Sequence, residues 1–133
     1  MGMARVLKII LCALAAWFVL GEIVAPRPDR ARRFSPEEIT AIGAIRTIHT
    51  TQVQYFSQYG RYAGSLSELG ELASGTKVGY RFTMTGNTSG YVIHADPESY
   101  GKTGSRAFYS DATMVMRQNY GQGPATINSP EMK

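Results

Sequence analysis

The chain has 133 residues, with 14 Lys and Arg against 10 Asp and Glu. The first 33 residues hold six bases and two acids, which is the whole excess of four, and residues 34–133 hold eight of each. This excludes the basic folded face that a nucleic-acid-binding domain needs, and the length admits one domain with a modest core.

Val6 to Ala25 is an apolar run, with Ile9, Leu14, Trp17, Phe18 and Leu20 as its membrane-span candidates. Twenty helical residues reach roughly 30 Å, the hydrocarbon thickness of a bilayer. Lys8 and Glu22 lie near its ends, where long side chains reach the interface, and Pro26 and Pro28 close it. The single cysteine, Cys12, sits inside the run as a small hydrophobe and reports no redox compartment. The run is apolar all round, which argues against a buried soluble helix. A cleaved signal peptide has a shorter apolar core and small residues before its cut. Val24-Ala25 followed by Pro26 is a poor match, so an uncleaved transmembrane anchor is expected within residues 1–25.

Residues 26–34 read as a basic juxtamembrane linker. Arg27, Arg30, Arg32 and Arg33 are expected to contact membrane lipids or a partner, at about 1 kcal/mol each beside anionic headgroups, or to form a solvated collar. Counted alone, two bases before the span and four after it put the following domain in the cytoplasm.

Ser35-Pro36-Glu37-Glu38 predicts a helix start, with Ser35 as cap, Pro36 at the first helical position and Glu38 completing a capping box. The helix is expected to run to about Tyr59 and stop at Gly60. Ile39, Ile42, Ile45, Ile48, Val53, Phe56 and Tyr59 share a broad arc opposite Thr40, Thr47, Thr50, Gln54 and Gln58, so one side is expected buried and the other wet. Residues 60–76 read as a loop with a short helical turn, in which Ser65-Leu66-Ser67-Glu68 repeats the capping-box spacing before Gly70. Four strands are predicted. Lys77 to Thr85 has Val78, Tyr80, Phe82 and Met84 on one face, and Tyr91 to Ala95 follows the turn signal Gly86-Asn87-Thr88-Ser89-Gly90. After a Gly/Pro-rich loop over 96–104, Ser105 to Tyr109 and Thr113 to Arg117 flank a hairpin at Asp111-Ala112. Residues 119–133 are expected to be an irregular tail. A helix before a run of strands is an α+β order. The expected fold is therefore an N-terminal transmembrane helix, then a long amphipathic helix packed on a small antiparallel sheet of about four strands, with the domain at 35–118.

Sites of chemistry are sparse. His49 falls inside the apolar arc and reads as a core histidine with one hydrogen bond. His94 and Asp96 are two apart on a strand and share a face, enough for two metal positions but with no third ligand nearby in sequence. Asp96, Glu98 and Asp111 form no acid–base pair motif, and nucleophile elbows and phosphate-cradling loops are missing. Asn87-Thr88-Ser89 fits a glycosylation sequon, although a turn favours Asn there in any case. Most of the eight tyrosines are expected to pack in the core and sheet, with exposed ones available for docking. No catalytic residue, metal, cofactor, nucleic acid or small-molecule substrate is expected.

Ala41-Ile42-Gly43-Ala44-Ile45-Arg46-Thr47-Ile48-His49-Thr50-Thr51-Gln52 resembles the "AIGSLRTINTAE" segment of one group of bacterial type IV pilins. Gly79 to Thr83, Tyr91 to Pro97 and Gly104 to Asp111 resemble that group's C-terminal sheet, and Pro26 to Arg33 sits where such pilins carry a proline followed by Arg-Ala-Arg. The likeness spans roughly 26–118. It departs at the N-terminus: the Gly-Phe-Thr-Leu-Ile-Glu of prepilins is not found, and Gly21-Glu22 lies at the far end of the apolar run. The resemblance implies a pilin-like domain facing the periplasm, against the charge count. It leads to the expectation of a non-catalytic, single-pass subunit of the bacterial inner membrane, whose periplasmic domain stabilises a larger complex of integral membrane subunits, photosynthetic or respiratory. The alternative is a minor pilin or pseudopilin of a type IV pilus or type II secretion system.

Overall fold

The computed structural model describes residues 33–70, 76–77 and 79–133. All of these but Arg33 belong to one unit, Phe34–Lys133. Its first element is α1, Pro36–Tyr59, and it starts as the spacing predicts. Ser35 Oγ accepts from the Glu38 amide at 3.1 Å, while Glu38 Oε2 accepts from the Ser35 amide at 3.0 Å. Two of the amides that a helix start leaves unpaired are thereby satisfied. The helix ends at Gly60, whose φ of 69° turns the chain out of the helix while its amide donates to Phe56 O.

A short 3₁₀ turn, Leu66–Leu69, follows. Here the second capping-box spacing is not used as one. Ser65 makes no side-chain cap, and the Glu68 carboxylate instead accepts from the Gly64 amide at 2.9 Å and pairs with Arg61 at 3.3 Å.

Five strands then form an antiparallel meander in chain order: β1 Thr76–Lys77, β2 Tyr80–Gly86, β3 Tyr91–Pro97, β4 Arg106–Asp111 and β5 Met116–Tyr120. Four of them are long and correspond to the expected strands. The predicted first strand is split, because Gly79 takes a φ of 77° and β1 turns back on β2 with Lys77 opposite Tyr80. The last strand starts three residues later than expected. Met114 adopts a φ of 63°, rare for a side-chain-bearing residue, and with β4 ending at Asp111 and Ser110 paired with Met116 the residues 112–115 form a loop.

Alternation along the strands gives the sheet two faces. Tyr80, Phe82, Met84, Tyr91, Ile93, Ala95 and Phe108 pack with Ala41, Ile42, Ile45 and Ile48 of α1 to make the main core. On the other face, Ala107, Tyr109 and Val92 are covered by Ala125 of the C-terminal segment. That segment is irregular yet tied down. Met132 N–H donates to Met116 O, Gln118 N–H to Pro130 O, and Arg117 pairs with Glu131 at 3.2 Å.

The expected fold is corrected in one respect. No helix among the described residues is long and apolar enough to cross a membrane. The helix α1 is long enough, but it carries Thr40, Arg46, Thr47, Thr50, Gln54 and Gln58. The run expected to form the anchor, residues 6–25, lies outside the described residues. The transmembrane helix, the single-pass inner-membrane placement with a periplasmic domain, and the role as membrane subunit of a larger complex are therefore withdrawn.

Candidate interaction face

The side of α1 that meets the sheet is more polar than its pattern suggests. Glu38, His49 and Gln52 are buried there beside Ala41, Ile42, Ile45 and Ile48. Each is accounted for by hydrogen bonds, as buried polar groups require. Besides its cap bond, Glu38 accepts from the Ser105 amide through Oε1 at 2.9 Å and pairs with the buried Arg106 at 3.8 Å. The Arg106 guanidinium lies over the Phe34 ring, 4.3 Å from its centroid. Gln52 donates to Ala63 O at 3.1 Å and accepts from the Ala63 amide at 2.8 Å, pinning the chain that leaves the helix.

His49 joins three elements. Its Nε2 lies 2.8 Å from Ser110 Oγ, and its Nδ1 lies 2.6 Å from the Tyr91 hydroxyl. Ser110 spends its own proton on Val115 O at 2.9 Å. The Ser110 oxygen is therefore the acceptor from His49 Nε2–H, and Nδ1 accepts from Tyr91. A serine beside a histidine invites comparison with a nucleophile and its base, but the polarity is reversed. The base nitrogen of such a pair must accept the serine proton. Burial also holds the imidazole below its usual range, against the pull of Asp111, and pushes the Tyr91 hydroxyl up to about 12. The trio is a neutral structural bond network.

Not all of the apolar surface of α1 is covered: Ile39 and Val53 lie on its outer side, and Phe56 and Tyr59 continue the sheet-facing stripe beyond the residues that the sheet buries. Ile39 is 59% exposed, Val53 46%, Phe56 40% and Tyr59 57%. These residues were expected to be buried. The sheet meets the helix along Glu38, Ala41, Ile42, Ile45, His49 and Gln52 instead, which turns Ile39 and Val53 away from it. Beside Val53 a groove of about 550 Å³ runs along the helix, lined by Arg46, His49, Thr50, Val53, Gln54 and Met114. Met114, 54% exposed, forms its far wall from the β4–β5 loop. Phe56 stacks on Tyr62 and Tyr55 on Tyr59, at 4.7 and 4.4 Å between centroids, so the helix end is an aromatic cluster.

A second concavity, of about 410 Å³, lies between the β2–β3 turn and the loop after Asp111. Its polar groups serve the turns themselves. Asn87 Oδ1 accepts from the Ser89 and Gly90 amides, and Asp111 Oδ1 accepts from the amide and hydroxyl of Thr113. The sequon asparagine is thus a turn residue.

His94 and Asp96 share the sheet face away from α1, as the alternation requires. Asp96 faces Arg81 across the β2–β3 pair. Among the described residues, no three His, Cys, Asp or Glu side chains gather as a metal site. Of the residues expected to meet lipid or a partner, Arg33 is exposed, while Arg27, Arg30 and Arg32 lie outside the described residues. So do the span candidates Ile9, Leu14, Trp17, Phe18 and Leu20.

Compared with known protein families, curated proteins and solved structures, the chain matches none. One helix against the long strands of an antiparallel sheet is consistent with a generic pilin-like architecture, at the level of architecture alone.

Proposed function

We propose that this domain is a non-catalytic, pilin-like assembly module, acting as a minor pilin or pseudopilin of a type IV pilus or type II secretion system. The observation that carries the reading is the apolar surface that α1 leaves uncovered, on its outer side and at its C-terminal end. A helix already packed on its own sheet still presents Ile39, Val53, Phe56 and Tyr59. Exposed apolar side chains that gather in one place mark protein–protein contacts, as Val53 and Met114 do along one groove and Phe56 and Tyr59 at the helix end, and aromatic residues and methionine are enriched in such contacts. The neutral charge of residues 34–133 fits apolar docking better than electrostatic capture. The partners proposed are protein subunits, with neither nucleic acid nor a small-molecule substrate. The resemblance of residues 41–52 and of the strands to bacterial pilins supports the choice of assembly.

The test is native isolation of the tagged full chain from its source, followed by cross-linking and identification of what it contacts. Cross-links from α1 to pilins or pseudopilins are expected, and the paired change Ile39→Asp with Val53→Asp should reduce them about tenfold. Recovery as an unaccompanied monomer, or cross-links that avoid α1, would overturn the proposal.

A further inference from the structure

We propose that His49 is an acid-operated latch between α1 and the β4–β5 loop, whose protonation frees that loop and reshapes the groove beside Met114. The geometry makes the neutral ring the only form that satisfies its surroundings. Nε2 donates to Ser110 Oγ, Ser110 donates on to Val115 O, and Tyr91 donates to Nδ1. A proton added at Nδ1 removes the acceptor for the Tyr91 hydroxyl. Tyr91 is 4% exposed, so its displaced hydroxyl proton meets no solvent. A buried cation and a stranded donor are both costly.

The groups around the ring decide where that stress goes. On α1 the nearest charge is Arg46, which lines the same groove. On β3 the ring meets Tyr91, itself edge-on to Tyr62 at 4.9 Å. From β4 it meets Ser110 and the field of Asp111, which favours the charged form. Residues 112–115 are Ala, Thr, Met and Val, so the loop offers no charge of its own. The ring already forms part of the wall of the groove, which opens to water. A charged ring turning toward it leaves Ser110, whose bond to Val115 O is then no longer fixed from α1 and alone holds the loop. The loop is poised for this, because Met114 holds a left-handed φ of 63°, a conformation that persists only where the surroundings enforce it.

The consequence for docking rests on the assembly reading above. The latch is tested without any partner, so either can fail alone. Amide hydrogen exchange of the full chain, corrected for the intrinsic effect of pH, should be followed by NMR from about pH 7.5 to about pH 5 together with the His49 ring signals. As the ring titrates, the Met114 and Val115 amides should lose about tenfold in protection, as local opening of the loop requires. The Ile93 and Phe108 amides should hold theirs. His49→Gln cannot titrate and should abolish the response. Should that variant not fold, Tyr91→Phe removes the donor to Nδ1, and the loop should open at a higher pH than in the parent chain. Loss of protection by loop and sheet together, a loop indifferent to ring titration, a ring that stays neutral throughout, or a variant that responds as the parent does would each overturn the latch.

Discussion

Glu38 shows how much one side chain carries in this fold. It caps α1 through Ser35, accepts from Ser105 at the entry to β4, and neutralises Arg106 in the same buried corner. Removing one partner of a buried ion pair costs about 3–5 kcal/mol, because the other charge stays behind. Glu38→Ala is therefore expected to lower the unfolding free energy by about 3 kcal/mol in urea titration. Glu38→Gln, which can still accept from one of the amides, should lose less. The cap was legible in the sequence, since Ser-x-x-Glu is a local pattern. The ties to Ser105 and Arg106 were not, because only the folded sheet brings β4 beside the helix start. The same holds for Gln52, which the helical pattern left unremarked and the fold buries completely. The apolar arc predicts His49 as a core histidine with one hydrogen bond. It makes two, and the second depends on a serine in β4. Gly104 belongs to this scale as well. A Cβ there would fall about 2.0 Å from the Tyr80 hydroxyl, which donates to Arg106 O at 2.7 Å. Gly104→Ala should displace that ring and cost on the order of 1–3 kcal/mol by overpacking, measured by the same titration.

At the scale of elements, α1 buries one side on the sheet and leaves Ile39 and Val53 exposed on the other. Ile39→Asp and Val53→Asp should therefore change stability by no more than about 0.5 kcal/mol each, as read by thermal unfolding, while together weakening the contacts expected of an assembly module. A loss of several kcal/mol in the folded monomer would show that these residues are core after all. The sequence announced the helix and both its ends, through Ser35 and Gly60. It blurred the two sides into one arc, because a hydrophobic wheel cannot tell the stripe facing the sheet from one facing a neighbour. The strands were legible by alternation. Their limits were not where a single backbone angle decides, as at Gly79 and Met114. The run Thr113 to Arg117 alternates like a strand, but Asp111 folds the loop onto its carboxylate through Thr113 before β5 can begin.

For the whole molecule, one buried group on each sheet face shifts the response to acid, and the two act in opposite senses. His49, on the inner face, is held below its usual range by burial against the pull of Asp111. In the unfolded chain it binds a proton near pH 6.5, so its contribution is fully present above that pH and is lost as pH falls toward the lower folded value. Asp96, on the outer face, is shifted the other way. Burial raises its carboxyl, against the pull of His94 and Arg81, and its Oδ1 is buried without a hydrogen-bond partner. A raised carboxyl stabilises the fold below the unfolded value of about 3.9, and that contribution is lost as pH rises through the folded value. At neutral pH the folded domain therefore bears an ill-satisfied carboxylate on a face covered by the C-terminal segment. Asp96→Asn keeps the shape and removes the charge, so it should raise the urea midpoint at pH 7, and the advantage should shrink steadily as the parent carboxyl takes up its proton. His49→Gln should flatten the parent's decline as pH falls below about 6.5, the unfolded value of the imidazole. An Asp96→Asn chain less stable than the parent at pH 7 would mean that the attraction to Arg81 and His94 outweighs the cost of burial, and that this side chain is a structural ion-pair partner.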